Sequence, residues 1–330
     1  MTIENPIRWG ILGLGKIARK MAETLQTMPD CTIEAVASRS LEKAQAFANT
    51  YGAQRAYNSY EALANDPAID VVYVATPHNL HAANTLMFLA SKKAVLCEKP
   101  FAVNLKEAQP VFEAARQQQC FVMEALWTRF IPSFTKTVEL VRNGAIGQVR
   151  SIQADFGFRA NYNPSSRLFN PALAGGSLLD VGIYPVFLAA TLLGMPEHIS
   201  AHATMTPTGV DGQCVMALKY QNGALASLTS SLVSNNTLEA HIFGETGRIT
   251  INNRWHEQTS VTLYRNWQVA ETFEFEYTGN GFDHEVREVV RCLRQGRLES
   301  PVYSWADTRQ LLDLLDKIRL EAGIKYPQDA

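Results

Sequence analysis

The chain carries almost no net charge: 30 basic against 32 acidic residues in 330 leave a formal charge of -2, with an isoelectric point near 6.4. A field this weak holds neither nucleic acid nor an anionic membrane surface, so no partner of either kind is expected. Cysteine is scarce as well. The five, Cys31, Cys97, Cys120, Cys214 and Cys292, are odd in number, dispersed and without a C-x-x-C spacing. That argues against a disulfide or zinc framework and for reduced thiols in a cytoplasmic protein. Long apolar runs are missing near the N-terminus. Met1 to Pro6 has no basic region, and the apolar stretch that follows is interrupted by Gly10, Gly13 and Gly15, so neither an export signal nor a spanning helix is expected there. Repeats, low-complexity tracts and charge blocks are absent too.

What is present is a 46% hydrophobic composition over 330 residues, enough for two cores and hence two domains. Residues 1–124 alternate strand and helix. Ile7 to Leu12 reads as a buried strand, Gly13-Leu14-Gly15-Lys16-Ile17-Ala18 follows at once, and Ile17 to Leu25 has helical spacing. Glycines at 13 and 15 let the backbone turn sharply and approach a pyrophosphate, whose charge sits on the helix's first amides, with Lys16 and Ile17 opening that helix. Glycine-rich turns also arise for packing, but between a strand and a helix the pattern points to a dinucleotide. The next strand, Ile33 to Ala37, ends in Ser38-Arg39-Ser40, where an NAD-preferring site would carry an acid for the ribose hydroxyls. A guanidinium and two hydroxyls, with Lys43 one turn on, suit a 2'-phosphate instead, so NADP is the expected cofactor and NAD the less favoured one.

Two further strand ends belong to the same edge. Val71 to Ala75 closes on Thr76-Pro77-His78-Asn79-Leu80-His81, and Ala94 to Cys97 runs into Glu98-Lys99-Pro100. In a doubly wound parallel sheet, right-handed crossovers put these turns beside the dinucleotide. Thr76, Pro77, His78, Asn79, His81, Glu98 and Lys99 are therefore cofactor-side candidates. The two histidines suggest a metal, but no cysteine or carboxylate completes a ligand set nearby, so no metal is expected.

After Glu124 the pattern changes to half-exposed strands, and residues 125–330 read as an α+β domain with one large open, mainly antiparallel sheet. The Gln221-Asn222-Gly223 turn is a hairpin signal, and a last strand is expected at Thr272 to Tyr277. Few helices are available to cover the sheet, chiefly Leu178 to Leu193, His284 to Gln295 and Ser304 to Ala322, the last of which can pack back on the first domain. One face is left bare, which predicts a homo-oligomer, most simply a homodimer through that face. The chemically loaded element is Gly175-Gly176-Ser177-Leu178-Leu179-Asp180-Val181-Gly182-Ile183-Tyr184. Asp180 and Tyr184 share a helix face. The plainer reading is that Ser177 and Asp180 form a capping box and Tyr184 is core.

Taken in order, the glycine fingerprint, Glu98-Lys99-Pro100 after the fifth strand, and the Gly175 to Tyr184 helix resemble the glucose-fructose oxidoreductase / inositol dehydrogenase (Gfo/Idh/MocA) family. That resemblance implies a Rossmann domain, a C-terminal open-sheet domain, a nicotinamide cofactor, sugar or polyol substrates and a cis Lys99-Pro100 bond. The family's usual histidine four residues after the aspartate is Tyr184 here. With Glu124-Ala125-Leu126-Trp127-Thr128-Arg129-Phe130-Ile131-Pro132, this looks like the branch of dimeric dihydrodiol dehydrogenases and NADP-dependent D-xylose dehydrogenases. In that branch lysine and tyrosine are the catalytic pair, which implies reversible hydride transfer at a carbinol carbon. Tyr184 would exchange the hydroxyl proton, Lys99 hold the substrate oxygen and Asp180 orient one of them. Trp127, Arg129, Phe158 and Arg167 are the candidates on the substrate side, for an aldose or polyol or, alternatively, a trans-dihydrodiol. Two other classes compete: an NADP-sensing regulator without turnover, which would not need Lys99, Asp180 and Tyr184, and a structural protein using the sheet face.

Overall fold

The computed structural model describes residues 5–276 and 279–329. The chain divides into two compact units, residues 1–102, 106–127 and 278–308 in the first and 103–105, 128–277 and 309–330 in the second. The division is not a single cut near residue 125, because the segment from 278 to 308 returns to the first unit.

In chain order the first unit begins with β1 (Ile7–Leu12), α1 (Lys16–Thr27), β2 (Cys31–Ala37), α2 (Leu41–Tyr51), β3 (Arg55–Tyr57), α3 (Tyr60–Ala64), β4 (Val71–Val74), α4 (His81–Ala90), β5 (Ala94–Glu98), α5 (Leu105–Gln118) and β6 (Val122–Ala125). The strands form one parallel six-stranded sheet in the order β3-β2-β1-β4-β5-β6. The order reverses between β1 and β4, where open α/β sheets bind ligands at their carboxyl ends. All four residues of β4 and all five of β5 are buried, as expected for central strands covered on both faces.

The second unit contains α6 (Pro132–Arg142), β7 (Val149–Gly157), α7 (Ile183–Leu193), β8 (His198–Met205), β9 (Asp211–Lys219), β10 (Leu225–Ser231), β11 (Ala240–Gly244), β12 (Arg248–Ile251), β13 (Val261–Arg265) and β14 (Gln268–Phe273). Its eight strands run β14-β13-β12-β11-β7-β10-β9-β8. Only the β7–β10 pair is parallel. α7 is apolar all round and packs on β7 and β10, with Phe187 stacked on Phe134 of α6 at 4.8 Å. The opposite face presents Ser151, Gln153, Ala217 and Ser227, with Val215 52% exposed.

The last strand lies at Gln268–Phe273 rather than at the expected Thr272 to Tyr277, and Tyr277 itself falls outside the described residues. The reason is a two-residue turn between β13 and β14. Asn266 and Trp267 both have positive φ, 49° and 65°, the left-handed pair a tight hairpin needs, but without the glycine that usually signals it.

The first unit is completed by α8 (Asp283–Arg294) and by the start of α9 (Trp305–Ala322), whose remainder belongs to the second. α8 packs beside α1. The Asn280 side chain ties the segment down: its carbonyl accepts from Thr24 Oγ1 at 2.7 Å and its amide donates to Lys20 O at 2.8 Å. Leu298 O accepts from Val122 N at 3.0 Å, which pairs an exposed group at the edge of β6.

One buried group on α8 has no local solution. Glu285 is fully buried with neither carboxyl oxygen hydrogen-bonded among the described residues. Burial first, and then the charge of Glu98, raise its pKa well above the usual carboxylate value. It is therefore carried as the neutral acid. A raised pKa in the fold means stability present at low pH and lost as pH rises from the unfolded value toward the folded one. Glu285→Gln removes that loss. Its stability relative to wild type is expected to grow with pH, by about 1.4 kcal/mol per unit across that window. Urea unfolding at pH 5, 6.5 and 8 measures it, and a difference that stays flat would mean that Glu285 is ionised and solvated in the folded protein.

Candidate active site

The glycine turn after β1 has the shape a dinucleotide requires. Gly13 has φ of 85°, and a β-carbon there would lie 2.6 Å from Ala75 O. Nothing else than glycine fits that position without moving the backbone. A β-carbon on Gly15 would meet nothing within 4 Å, so glycine there leaves space rather than relieving a clash. Gly15 is also the N-cap of α1, and no side chain caps that end. The first-turn amides, including those of Lys16 and Ile17, face a space that a pyrophosphate fits.

At the end of β2, Ser40 Oγ accepts from Lys43 N at 3.3 Å and caps α2, while Ser38 Oγ accepts from Ser40 N. Ser38 and Ser40 thus shape the turn, and Arg39 and Lys43 are exposed beside it. After β4, Thr76 and His78 are buried, Pro77 and Asn79 half-buried. Asn79 Oδ1 is a buried acceptor with no hydrogen-bond partner among the described residues, the condition of a side chain whose donor comes from a ligand.

The turn after β5 is held at three consecutive residues, and its Lys99-Pro100 bond is cis. Lys99 N donates to Glu98 Oε2 at 3.1 Å. Pro100 O lies 2.7 Å from His81 Nδ1. Phe101 N donates to Glu124 Oε1 at 2.9 Å. Glu98 also accepts from the buried Tyr73 hydroxyl, and Glu124 from Tyr303 Oη at 3.1 Å. Burial pushes the Glu124 carboxyl up to about 7. These contacts correct two of the cofactor-side expectations. Glu98 is 7% exposed and His81 fully buried, so both are spent on the loops rather than reaching a ligand. Lys99, half-buried, is the residue the turn presents.

In the second unit, Asp180 and Tyr184 lie at a junction that the sequence pattern does not reveal. Leu178–Gly182 forms one π-helical turn, and α7 begins at Ile183; such turns recur at functional sites. The Ser177/Asp180 capping box does not form. Ser177 has helical φ and ψ, and its hydroxyl instead donates to Asp211 Oδ2 at 2.7 Å and meets Ser230 Oγ at 2.9 Å. Asp211 also accepts from Leu178 N at 2.7 Å, and so caps the turn from β9. Its carboxyl is fully buried, which raises it to about 6 against the pull of these hydrogen bonds. Gly176, with φ of 119°, passes so close to Asp211 that no β-carbon fits.

Asp180 is 5% exposed in its side chain and accepts from Arg167 Nη1 at 2.7 Å, while the Arg167 side chain is 53% exposed. Arg167, expected on the substrate side, is in the first place the cation that neutralises a buried aspartate. Tyr184 is 5% exposed. Its ring lies 5.3 Å from Phe156 and 5.5 Å from His256, and these two stack on each other at 3.9 Å. His256 is not suggested by any local motif, since it follows β12 and stands 72 positions after Tyr184. Phe158 packs on the Phe169, Val181, Val210 and Leu232 cluster, Arg129 is half-buried, and Trp127, in the first unit, packs edge-on against Phe282 at 5.0 Å. Phe158 is thus a packing residue before it is a ligand contact.

A parallel sheet ordered 3-2-1-4-5-6 with an open glycine turn at its switch point, joined to a large mixed sheet, defines a dinucleotide-dependent oxidoreductase of two units. Residues 7–126 match the oxidoreductase family with an NAD-binding Rossmann fold and residues 134–250 the GFO/IDH/MocA C-terminal domain. The chain belongs to the Gfo/Idh/MocA family. It is 40% identical to a trans-1,2-dihydrobenzene-1,2-diol dehydrogenase of Danio rerio over 98% of this chain and 99% of the relative. Among solved structures it is similar to an aldose-aldose oxidoreductase from Caulobacter crescentus complexed with glycerol, with a TM-score of 0.88, 26% identity and coverage of 97% of this chain and 98% of that one. A 3-ketoreductase from Actinomadura kijaniata, in complex with NADP and TDP-benzene, superposes with a TM-score of 0.87 at 27% identity over 96% and 98% of the two chains.

Proposed function

We propose that the protein is an NADP-dependent dehydrogenase that acts on a ring CH–OH carbon next to a second hydroxyl, the chemistry shared by trans-dihydrodiols, aldoses and polyols. When bound, the nicotinamide accepts or returns the hydride. Arg39 and Lys43 hold the 2'-phosphate that distinguishes NADP, the first turn of α1 holds the pyrophosphate, and Asn79 accepts from the cofactor. Lys99 donates to the substrate oxygen, so that negative charge growing there is stabilised. Tyr184 takes the hydroxyl proton in oxidation and gives it in reduction. Asp180, neutralised by Arg167, keeps the segment ahead of Tyr184 in register. The observation that carries the reading is Tyr184: a phenol almost wholly buried against Phe156 and His256, just after a π-helical turn, in a chain 40% identical over nearly its whole length to a dihydrodiol dehydrogenase.

Aromatic rings beside the phenol favour a flat, partly apolar ring over an open-chain polyol. The test is cofactor reduction with NADP and, separately, NAD over a panel of trans-dihydrodiols, aldoses and polyols. Turnover of one class with NADP is the expected result, and Arg39→Ala should weaken NADPH roughly tenfold while leaving NADH as it was. Binding of NADPH without turnover of any class would favour a cofactor-sensing regulator. We further propose that the face carrying Ser151, Gln153, Val215, Ala217 and Ser227 pairs with a second copy. These small and neutral side chains permit close approach of two sheets, and light scattering should return twice the chain mass.

A further inference from the structure

His81 opens α4 with no exposed surface. Both its ring nitrogens meet backbone carbonyls: Nδ1 lies 2.7 Å from Pro100 O and Nε2 lies 2.7 Å from Thr76 O. A carbonyl oxygen only accepts. A neutral imidazole carries one N–H, so in either tautomer one of these contacts would set two lone pairs against each other at hydrogen-bond distance, away from water. Only the doubly protonated ring makes both bonds.

We propose that His81 is held as an imidazolium in the native protein, and that it acts as a positioning residue which straps the cofactor turn after β4 to the Lys99-Pro100 turn after β5. The two carbonyls belong to the ends of neighbouring strands. Thr76 starts the turn that carries Asn79, and Pro100 follows Lys99 directly. Without the strap each turn keeps its other ties, Asn84 Nδ2 to Thr76 Oγ1 at 3.0 Å and the Glu98 and Glu124 contacts, but nothing else described links Thr76 to Pro100. A buried cation also needs opposite charge. The titratable groups on the elements packed against α4 are His78 on the turn before it, whose ring stands 5.8 Å from that of His81, Tyr73 on β4, Glu98 on β5, and Tyr60 and Glu61 on α3. Glu124 reaches the same turn through Phe101 N. Of these, Glu98, shared by Tyr73 Oη and Lys99 N, is the buried carboxylate on the strand that leads into the strapped turn. A chain without a histidine at this place would have to hold the two turns by separate contacts.

The test has two readouts. Long-range proton–nitrogen correlation spectra of the full 15N-labelled chain report the protonation of each of its seven histidines, and His81→Gln assigns the signal. Two protonated ring nitrogens for His81, unchanged between pH 6 and 8.5, are expected. A single protonated nitrogen at pH 7 overturns the proposal, and this measurement on wild type stands even if the variant does not fold. The second readout is binding of NADPH and NADH to His81→Gln, followed by protein fluorescence. Glutamine restores one donor but not two, and cofactor affinity should fall roughly tenfold with the circular dichroism unchanged. An imidazolium with unaltered cofactor affinity in the variant would overturn the positioning role.

Discussion

Tyr184→Phe is expected to lower kcat by about 10²- to 10⁴-fold, the range in which a positioned acid or base contributes, with NADPH binding unchanged. The substitution removes a single oxygen. The ring keeps its places at 5.3 Å from Phe156 and 5.5 Å from His256, and its neighbours on α7 from Ile183 to Ala189 are all buried, so the helix does not depend on the hydroxyl. Loss of one hydrogen-bonding group costs about 1 kcal/mol of stability, small beside the effect on rate. The separation of the two is the point of the experiment. Steady-state rates on the substrate found by the panel, set beside a fluorescence titration with NADPH, distinguish a lost proton donor from a damaged site. If kcat stays within twofold of wild type, Tyr184 is a wall of the pocket and the proton has another source. His256, stacked on Phe156 in the same cluster, is then the first side chain to examine.

How much of this was legible beforehand depended on how far apart in the chain the interacting groups stand. The parallel sheet could be read because each of its signals is local: an apolar run, a glycine turn, a helical period, repeated to β6. Gly13 and Gly15 follow their strand at once, and Lys99 is fixed by the proline after it. The second unit hides more. Asn266 and Trp267 adopt left-handed φ without a glycine, so the hairpin they make carried no mark and β14 was expected four residues late. Ser177 and Asp180 have capping-box spacing, yet the competing partner, Asp211, arrives from 34 positions away and takes the serine. A buried carboxylate with several donors outbids a local contact because it would otherwise be left unsatisfied. The same holds for His81. Its place in the Thr76 to His81 turn suggested a cofactor contact, but Pro100 is 19 positions on, and a fully buried ring serves the carbonyls it touches. The return of residues 278–308 to the first unit was equally silent, since what holds it is a handful of pairs such as Asn280 with Thr24, 256 positions apart.

The two glycines of the β1 turn should fail in different ways when each is replaced by alanine, and the contrast is the sharpest available test of the cofactor site. Gly13→Ala places a methyl 2.6 Å from Ala75 O, at a φ of 85° that alanine disfavours. The backbone strain is of order 1–3 kcal/mol before the clash is counted, and relief requires the ends of β1 and β4 to part. Both thermal stability and NADPH affinity should fall. Gly15→Ala introduces a methyl that meets nothing within 4 Å, at an extended φ of -83° that alanine accepts, so the melting temperature should remain within a degree or two. What the methyl occupies is the approach to the first amides of α1. A pyrophosphate bound there must come within hydrogen-bonding distance of those amides, and the added carbon should cost roughly 100-fold in affinity for both NADPH and NADH. Calorimetric melting beside fluorescence titration of the two variants reads both quantities. Unchanged affinity in Gly15→Ala would mean that the dinucleotide does not lie against this helix end, and the assignment of the turn would have to be given up even though its shape at Gly13 is that of a Rossmann turn.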